Sequence, residues 1–168
     1  DATQAAVQAQ ARLIQKISPE RIRDELTRML LGPAPDAAVR RLSELDLLGF
    51  ILPEVELLKK TEQPTYVQHN LWLHTLHVLE ICAAQNPTRS VPLAWAALLQ
   101  EIGKPVAWRK SGEKSFVGHD QEAAAAAAKI KEMGGASSSY VSSSFFGHTE
   151  AHWIGYYLFA QRIGVEYS

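Results

Sequence analysis

A carboxylate at the end of an apolar stretch is the first feature of this chain that could do chemistry. Glu101 follows Gln100 directly after residues 92–99, which are almost continuously apolar and predict a helix buried on most sides. A carboxylate shielded from water is a stronger base than an exposed one. We therefore predict that Glu101 acts as a general base that abstracts a proton from carbon, with Gln100 as a hydrogen-bond partner. The alternative is a structural Glu101 paired with Lys104.

Two pairs of histidines have the spacing of one helix face. His74 and His77 are three residues apart, and they either line a pocket or lie on a solvated helix surface. His148 and His152 are four apart, a spacing that suits a zinc site. No third ligand is evident near that second pair, so we expect both side chains to be solvated.

The composition limits the classes of function. Seventeen Lys and Arg against 18 Asp and Glu give a net charge of −1, so the chain lacks the broad positive field that binds nucleic acid non-specifically. The single cysteine, Cys82, lies among apolar residues and indicates a buried thiol in a reducing compartment. No apolar run approaches the roughly 20 residues that span a bilayer, and residues 1–10 lack the pattern of a signal peptide. We expect a cytoplasmic protein without a membrane partner.

Helical spacing of apolar residues predicts an all-α fold. Residues 2–16 indicate a weakly amphipathic helical arm, and Ser18 followed by Pro19 is a strong helix start. Asp36 can cap the next helix, and a short helix is predicted near Pro53. A loop at residues 61–66 divides the chain into an N-terminal region, residues 1–60, and a second region, residues 61–168.

The second region has helical signals at residues 70–85 and 92–101, and Gly103 with Pro105 ends the latter. Asp120 is predicted to cap a helix that starts near Gln121. Strand-like alternation is confined to residues 114–117.

One segment of the N-terminal region carries a family resemblance. The segment that runs from residues 17–26 through residues 49–55 resembles the RNA-binding helical region of the bacterial tRNA nucleotidyltransferase/poly(A) polymerase family. Residues 69–80, 95–105 and 116–120 look like the HD-domain segments that follow it in many bacterial members. The resemblance implies a helical HD-domain-like bundle with an N-terminal helical arm. The paired aspartates that hold catalytic Mg²⁺ in the family's polymerase head are absent here, so we do not expect a complete nucleotidyltransferase.

The resemblance also implies a metal site, and the sequence departs from it. His74 matches the first histidine of the HD pattern and His119 matches its Gly-His-Asp segment, but Gln100 and Glu101 replace the central His-Asp pair. A neutral amide is a weak ligand, and glutamate is one methylene longer than aspartate. We therefore expect no metal and no cofactor. The residues predicted to line the emptied pocket are His74, His77, His119, Trp95, Ser143 and Tyr157, of which Trp95 could instead be a core residue.

Three functions follow from this resemblance. The alanine run at residues 123–128 and the serine triplets at 137–139 and 142–144, together with the lost His-Asp pair, favour a repurposed or engineered HD-domain scaffold. Such a scaffold would hold a small molecule in an apolar pocket. The second is an inactive fragment that binds RNA or a partner weakly, and the third is a residual metal-dependent phosphohydrolase. The predicted RNA contacts are Arg21, Arg23, Arg28, Arg40 and Arg41, and the alternative for them is a surface of ion pairs.

Overall fold

The fold is known from a computed structural model, which describes residues 2–61, 70–85, 88, 90–112 and 115–133. Every regular element within these ranges is a helix, so the all-α prediction is confirmed. Residues 115–117, part of the predicted strand-like stretch, form no strand. None of the helices in these ranges is both long and apolar enough to cross a bilayer.

Nine α-helices and two short 3₁₀ helices follow one another in the described part of the chain. The first group is α1 (Ala2–Gln10), η1 (Ala11–Lys16), α2 (Pro19–Leu30), α3 (Pro35–Glu44), α4 (Leu48–Ile51), α5 (Pro53–Leu57) and η2 (Leu58–Lys60). The second group is α6 (Leu71–Gln85), α7 (Val91–Leu99), α8 (Lys104–Lys110) and α9 (His119–Met133).

Local capping explains where several helices begin. The Ser18 hydroxyl accepts a hydrogen bond from the Arg21 backbone N–H, so the predicted start of α2 is confirmed. The prediction that Asp36 caps α3 is wrong, because Ala34 precedes Pro35 there and makes no side-chain cap. The prediction that Asp120 caps a helix starting near Gln121 is also wrong, because α9 begins at His119 and Asp120 lies inside its first turn. Both aspartates lie in a first helical turn, where the positive helix end still favours a carboxylate.

One apolar core runs through the helices on both sides of residues 61–70. Helix α6 packs against α3 and α7, and α2 packs against α3 and α7. Leu26 and Leu30 of α2 belong to the same cluster of buried side chains as Leu79 of α6 and Leu98 of α7. The N-terminal helices and the later helices therefore share their hydrophobic stabilisation.

The N-terminal arm is docked rather than separate. Helix η1 packs against α4, where the Ala11 side chain is buried. The Gln8 side-chain amide donates to the Glu44 carbonyl over 2.8 Å, and Arg41 donates to the Gln4 amide oxygen over 3.2 Å. These contacts fix the arm against the C-terminal end of α3.

A buried polar cluster joins α3 to the end of the N-terminal helices. The Ser43 hydroxyl is buried, donates to Glu56 over 2.7 Å and accepts from Lys59. Lys59 also pairs with Glu56 at 3.0 Å, and its ammonium lies 5.2 Å from the centre of the Trp72 ring. The cluster thus connects α3, α5, η2 and α6.

The buried thiol of Cys82 predicts a loss of stability at alkaline pH. Burial raises the pKa of the Cys82 thiol above its ordinary value of 9.0. The unfolded chain therefore releases the thiol proton first, so this contribution is complete below pH 9.0 and is lost as the pH rises through the folded-state pKa. Urea unfolding on both sides of pH 9.0 should show a larger alkaline loss for the wild type than for Cys82→Ala. Equal losses in the two proteins would contradict the prediction.

Candidate functional site

The turn between α7 and α8 positions the predicted acid–base residues. Helix α7 ends at Leu99, and the Glu101 carbonyl accepts the Lys104 backbone N–H over 3.0 Å as α8 begins. Pro105 suits the first turn of α8, because proline lacks the N–H that a helix start leaves unused. This short turn places Gln100, Glu101 and Lys104 close to one another.

Glu101 is a buried carboxylate held between two nitrogen groups. Its side chain is 5% exposed. Oε2 lies 2.6 Å from the Lys104 ammonium, and Oε1 lies 3.7 Å from His74 Nε2 on α6. The structure therefore brings together Glu101, His74 and the alternative partner Lys104. A carboxylate in this arrangement orients the ammonium, and it accepts a substrate proton only after Lys104 has moved or been displaced.

The side-chain amide of Gln100 is buried without a hydrogen bond among the described residues. Both its amide oxygen and its amide nitrogen are inaccessible to solvent and have no hydrogen-bond partner in the part of the chain that the structure describes. Such a group costs about 1–3 kcal/mol relative to a hydrogen-bonded one. The sequence predicted a hydrogen bond between Gln100 and Glu101, and this structure contains none.

Gly103 lets helix α9 approach the turn. A Cβ atom at Gly103 would lie 1.8 Å from the His119 carbonyl oxygen and 2.5 Å from the Ala123 nitrogen. The first turn of α9 therefore lies directly against the backbone of the site. Sequence reasoning treated Gly103 only as a helix breaker and missed this contact.

The backbone of His119 lies at the edge of the site because it packs against Gly103. The His119 ring interacts with a nearby backbone carbonyl group. The Nδ1 atom lies 2.9 Å from the Phe116 carbonyl oxygen. The Phe116 ring lies 5.1 Å from that of Trp108 and 5.5 Å from the Lys104 ammonium. Aromatic surface therefore borders the cation that holds Glu101.

Two further predicted pocket residues, His77 and Trp95, have no hydrogen bond or ion pair to Glu101 in the described part of the chain. His77 lies on the exposed side of α6, 3.4 Å from Glu80. Trp95 is buried in the core, where its indole N–H donates to Thr27 on α2 over 3.1 Å. Four residues of the sequence analysis lie outside the described residues: Ser143, His148, His152 and Tyr157.

The donor set at the turn does not fit a divalent metal. Across the described ranges, no group of three or more His, Cys, Asp or Glu side chains could hold a metal ion. The ammonium of Lys104 also lies against the Glu101 carboxylate, where a metal would have to approach. The absence of a bound metal stays a prediction for experiment.

The predicted RNA-contacting arginines fall into two groups. Arg23 pairs with Asp24 at 2.9 Å, Arg28 with Glu25 at 2.8 Å and Arg41 with Glu44 at 3.0 Å. Arg21 and Arg40 are exposed and have no acidic partner among the described residues. The ion-pair alternative therefore holds for three of the five arginines.

Comparison with known proteins finds a family match at the start of the chain. Residues 1–58 match the family described as "Probable RNA and SrmB- binding site of polymerase A". The chain is thus similar to part of the proteins of the bacterial tRNA nucleotidyltransferase family. No solved structure matches it.

Three relatives illustrate the similarity. The A-adding tRNA nucleotidyltransferase of Deinococcus radiodurans is 31% identical over 105 residues, 61% of this chain and 24% of that protein. The CC-adding tRNA nucleotidyltransferase of Thermus thermophilus is 34% identical over 103 residues, 60% of this chain and 24% of that protein. The multifunctional CCA protein of Pseudomonas aeruginosa is 34% identical over 93 residues, 54% of this chain and 22% of that protein. The matched part spans about a quarter of each relative.

Proposed function

We propose that this chain binds RNA of the tRNA type through its N-terminal helices. The observation that carries the proposal is the match of residues 1–58 to an RNA-binding family. The names of the relatives state that they act on tRNA, which gives the proposed RNA its class. Binding would be local, because the net charge of −1 provides no general attraction to phosphate.

The packing of the N-terminal helices supports this role. Helices α2 and α3 are held by the common core, and the arm is fixed by Gln4 and Gln8. A binding surface on such fixed helices loses little conformational entropy when RNA docks.

A titration with a transcribed tRNA tests the proposed function. We expect saturable binding whose affinity falls steeply as salt increases, because each phosphate contact releases counterions. Fluorescence anisotropy at several salt concentrations measures both the affinity and its salt dependence. Absence of saturable tRNA binding at low salt would reject the proposal.

We also propose that residues 61–168 form an HD-domain-like region whose lost metal site provides a small-molecule pocket. The unpartnered Gln100 amide beside the buried Glu101 supports this second candidate function. In it, Glu101 abstracts a proton from carbon, and Gln100 hydrogen-bonds the substrate. Lys104 would leave the carboxylate as the substrate enters.

Removal of the carboxylate tests the second candidate. Where Glu101 acts as a general base, Glu101→Gln should lower the rate by about a hundredfold to ten-thousandfold on base-sensitive carbon acids, because the amide cannot accept the proton. The matched control is Glu80→Gln, which removes an exposed carboxylate from α6. The rates of the two variants and the wild type show whether Glu101 acts as the base. An unchanged rate in Glu101→Gln removes this residue from the mechanism.

A further inference from the structure

The exposed cations of the N-terminal helices differ in whether a carboxylate already neutralises them. Within the described residues, the cations with such a partner at 3.0 Å or less are Arg23, Arg28, Arg41 and Lys59. The exposed cations without one are Arg12, Lys16, Arg21, Arg40 and Lys60. Three of the second set lie within ten consecutive residues of the chain, at the junction of η1 and α2.

The geometry of η1 places its cations on the outer surface. A 3₁₀ helix has three residues per turn, so side chains three apart lie above one another. Ala11 is buried where η1 meets α4, and Ile14 follows it on the same side. The two remaining rows of η1 carry Arg12 and Lys16, and both side chains are exposed.

Arg21 extends this surface to the start of α2. The chain is extended at Ile17 and Ser18, and the Ser18 hydroxyl accepts the Arg21 backbone N–H. That bond satisfies the backbone of Arg21 and leaves its guanidinium exposed. Leu13 and Ile17 lie between these cations along the sequence, and both of their apolar side chains are exposed.

We infer that Arg12, Lys16 and Arg21 are the phosphate-contacting residues of the RNA-binding region, and that the ion-paired arginines are not. This inference rests on the proposed function. A paired guanidinium must first give up its carboxylate, and that carboxylate repels an approaching phosphate. The three unpaired cations lose only solvent and counterions, so they gain more from a phosphate contact. Leu13 and Ile17 would then contact sugar or base surface between phosphates.

Two charge-matched double variants test the assignment. Arg12→Gln with Arg21→Gln removes two unpaired charges, whereas Arg23→Gln with Arg28→Gln removes two paired ones, so the change in net charge is identical. With a labelled tRNA, we expect the first variant to bind about tenfold or more weakly at low salt and to lose about one unit of salt slope per arginine. The second should bind within about twofold of the wild type, and adding Lys16→Gln to the first should lower its slope again by about one unit. Circular dichroism verifies that each variant retains its helices.

The outcomes separate this inference from the proposed function. A wild type that does not bind tRNA rejects the proposed function and this inference with it. A wild type that binds, with equal losses in the two double variants or none in the first, rejects only the assignment of these residues. A first variant that keeps tRNA binding but no longer binds anionic phospholipid vesicles would assign the surface to membranes and overturn the inference.

Discussion

Gly103→Ala should lower the free energy of unfolding by about 3 kcal/mol or more, at the upper end of the range for overpacked positions. The added Cβ would meet the backbone of His119 at 1.8 Å and of Ala123 at 2.5 Å, and backbone atoms cannot rotate away. Helix α9 would have to move from the turn. We expect a fall in melting temperature of about 6–12 °C, measurable by circular dichroism.

Gly49→Ala is the matched control for that substitution. Its Cβ would meet only the Glu56 side chain, at an ordinary contact distance of 3.8 Å. Gly49 lies in α4, and alanine in a helix is favoured over glycine by up to about 1 kcal/mol. The control should therefore be neutral or more stable than the wild type. If Gly103→Ala has the same stability as this control, α9 does not lie against the turn.

Lys104→Met should be the second strongly destabilising change, at about 3 kcal/mol. It removes the cation from a carboxylate whose side chain is only 5% exposed, and breaking a buried pair typically costs about 3–5 kcal/mol. We expect the low end because the Lys104 side chain is 22% exposed and water can reach the site. Urea unfolding at neutral pH measures the difference.

Two further variants show whether the effect comes from the uncompensated Glu101 charge. Lys104→Met combined with Glu101→Met replaces both partners by apolar groups and should recover most of the lost stability. Lys110→Met breaks the more exposed pair with Glu122 between α8 and α9 and should cost less than about 1 kcal/mol. A double variant as unstable as Lys104→Met would mean that the loss of stability does not come from the uncompensated Glu101 charge.

Helices were predictable from the sequence where local signals determine them. Ser18 and Pro19 start α2 as predicted, and the apolar spacing of residues 70–85 corresponds to α6 within one residue. Capping was less predictable, because a proline can begin a helix after a residue such as Ala34 that has no capping group. Asp36 is a suitable capping residue, but it lies two residues after the N-cap position that Ala34 occupies.

Most of the candidate site could not be predicted from the sequence, because it depends on contacts between residues that are distant along the chain. Lys104 and Glu101 are three residues apart, and this ion pair could be proposed from the sequence. The approach of α9 to Gly103 joins residues that are distant along the chain, and the orphaned amide of Gln100 depends on everything packed around it. Acidic residues flank nearly all of the arginines in the sequence. Only the side-chain positions therefore show which arginines form ion pairs and which do not.

The shared core has a consequence for how the segment that matches the family, residues 1–58, can be transplanted. The family match ends at residue 58, yet Thr27 of α2 accepts the indole N–H of Trp95, and Val39 of α3 is buried in the same cluster as side chains of α6 and α7. Excised at residue 58, α2 and α3 would expose the apolar faces that α6 and α7 cover. A graft for a chimeric protein should therefore carry α6 and α7 together with the N-terminal helices. A segment recognisable by sequence is here shorter than the unit that folds.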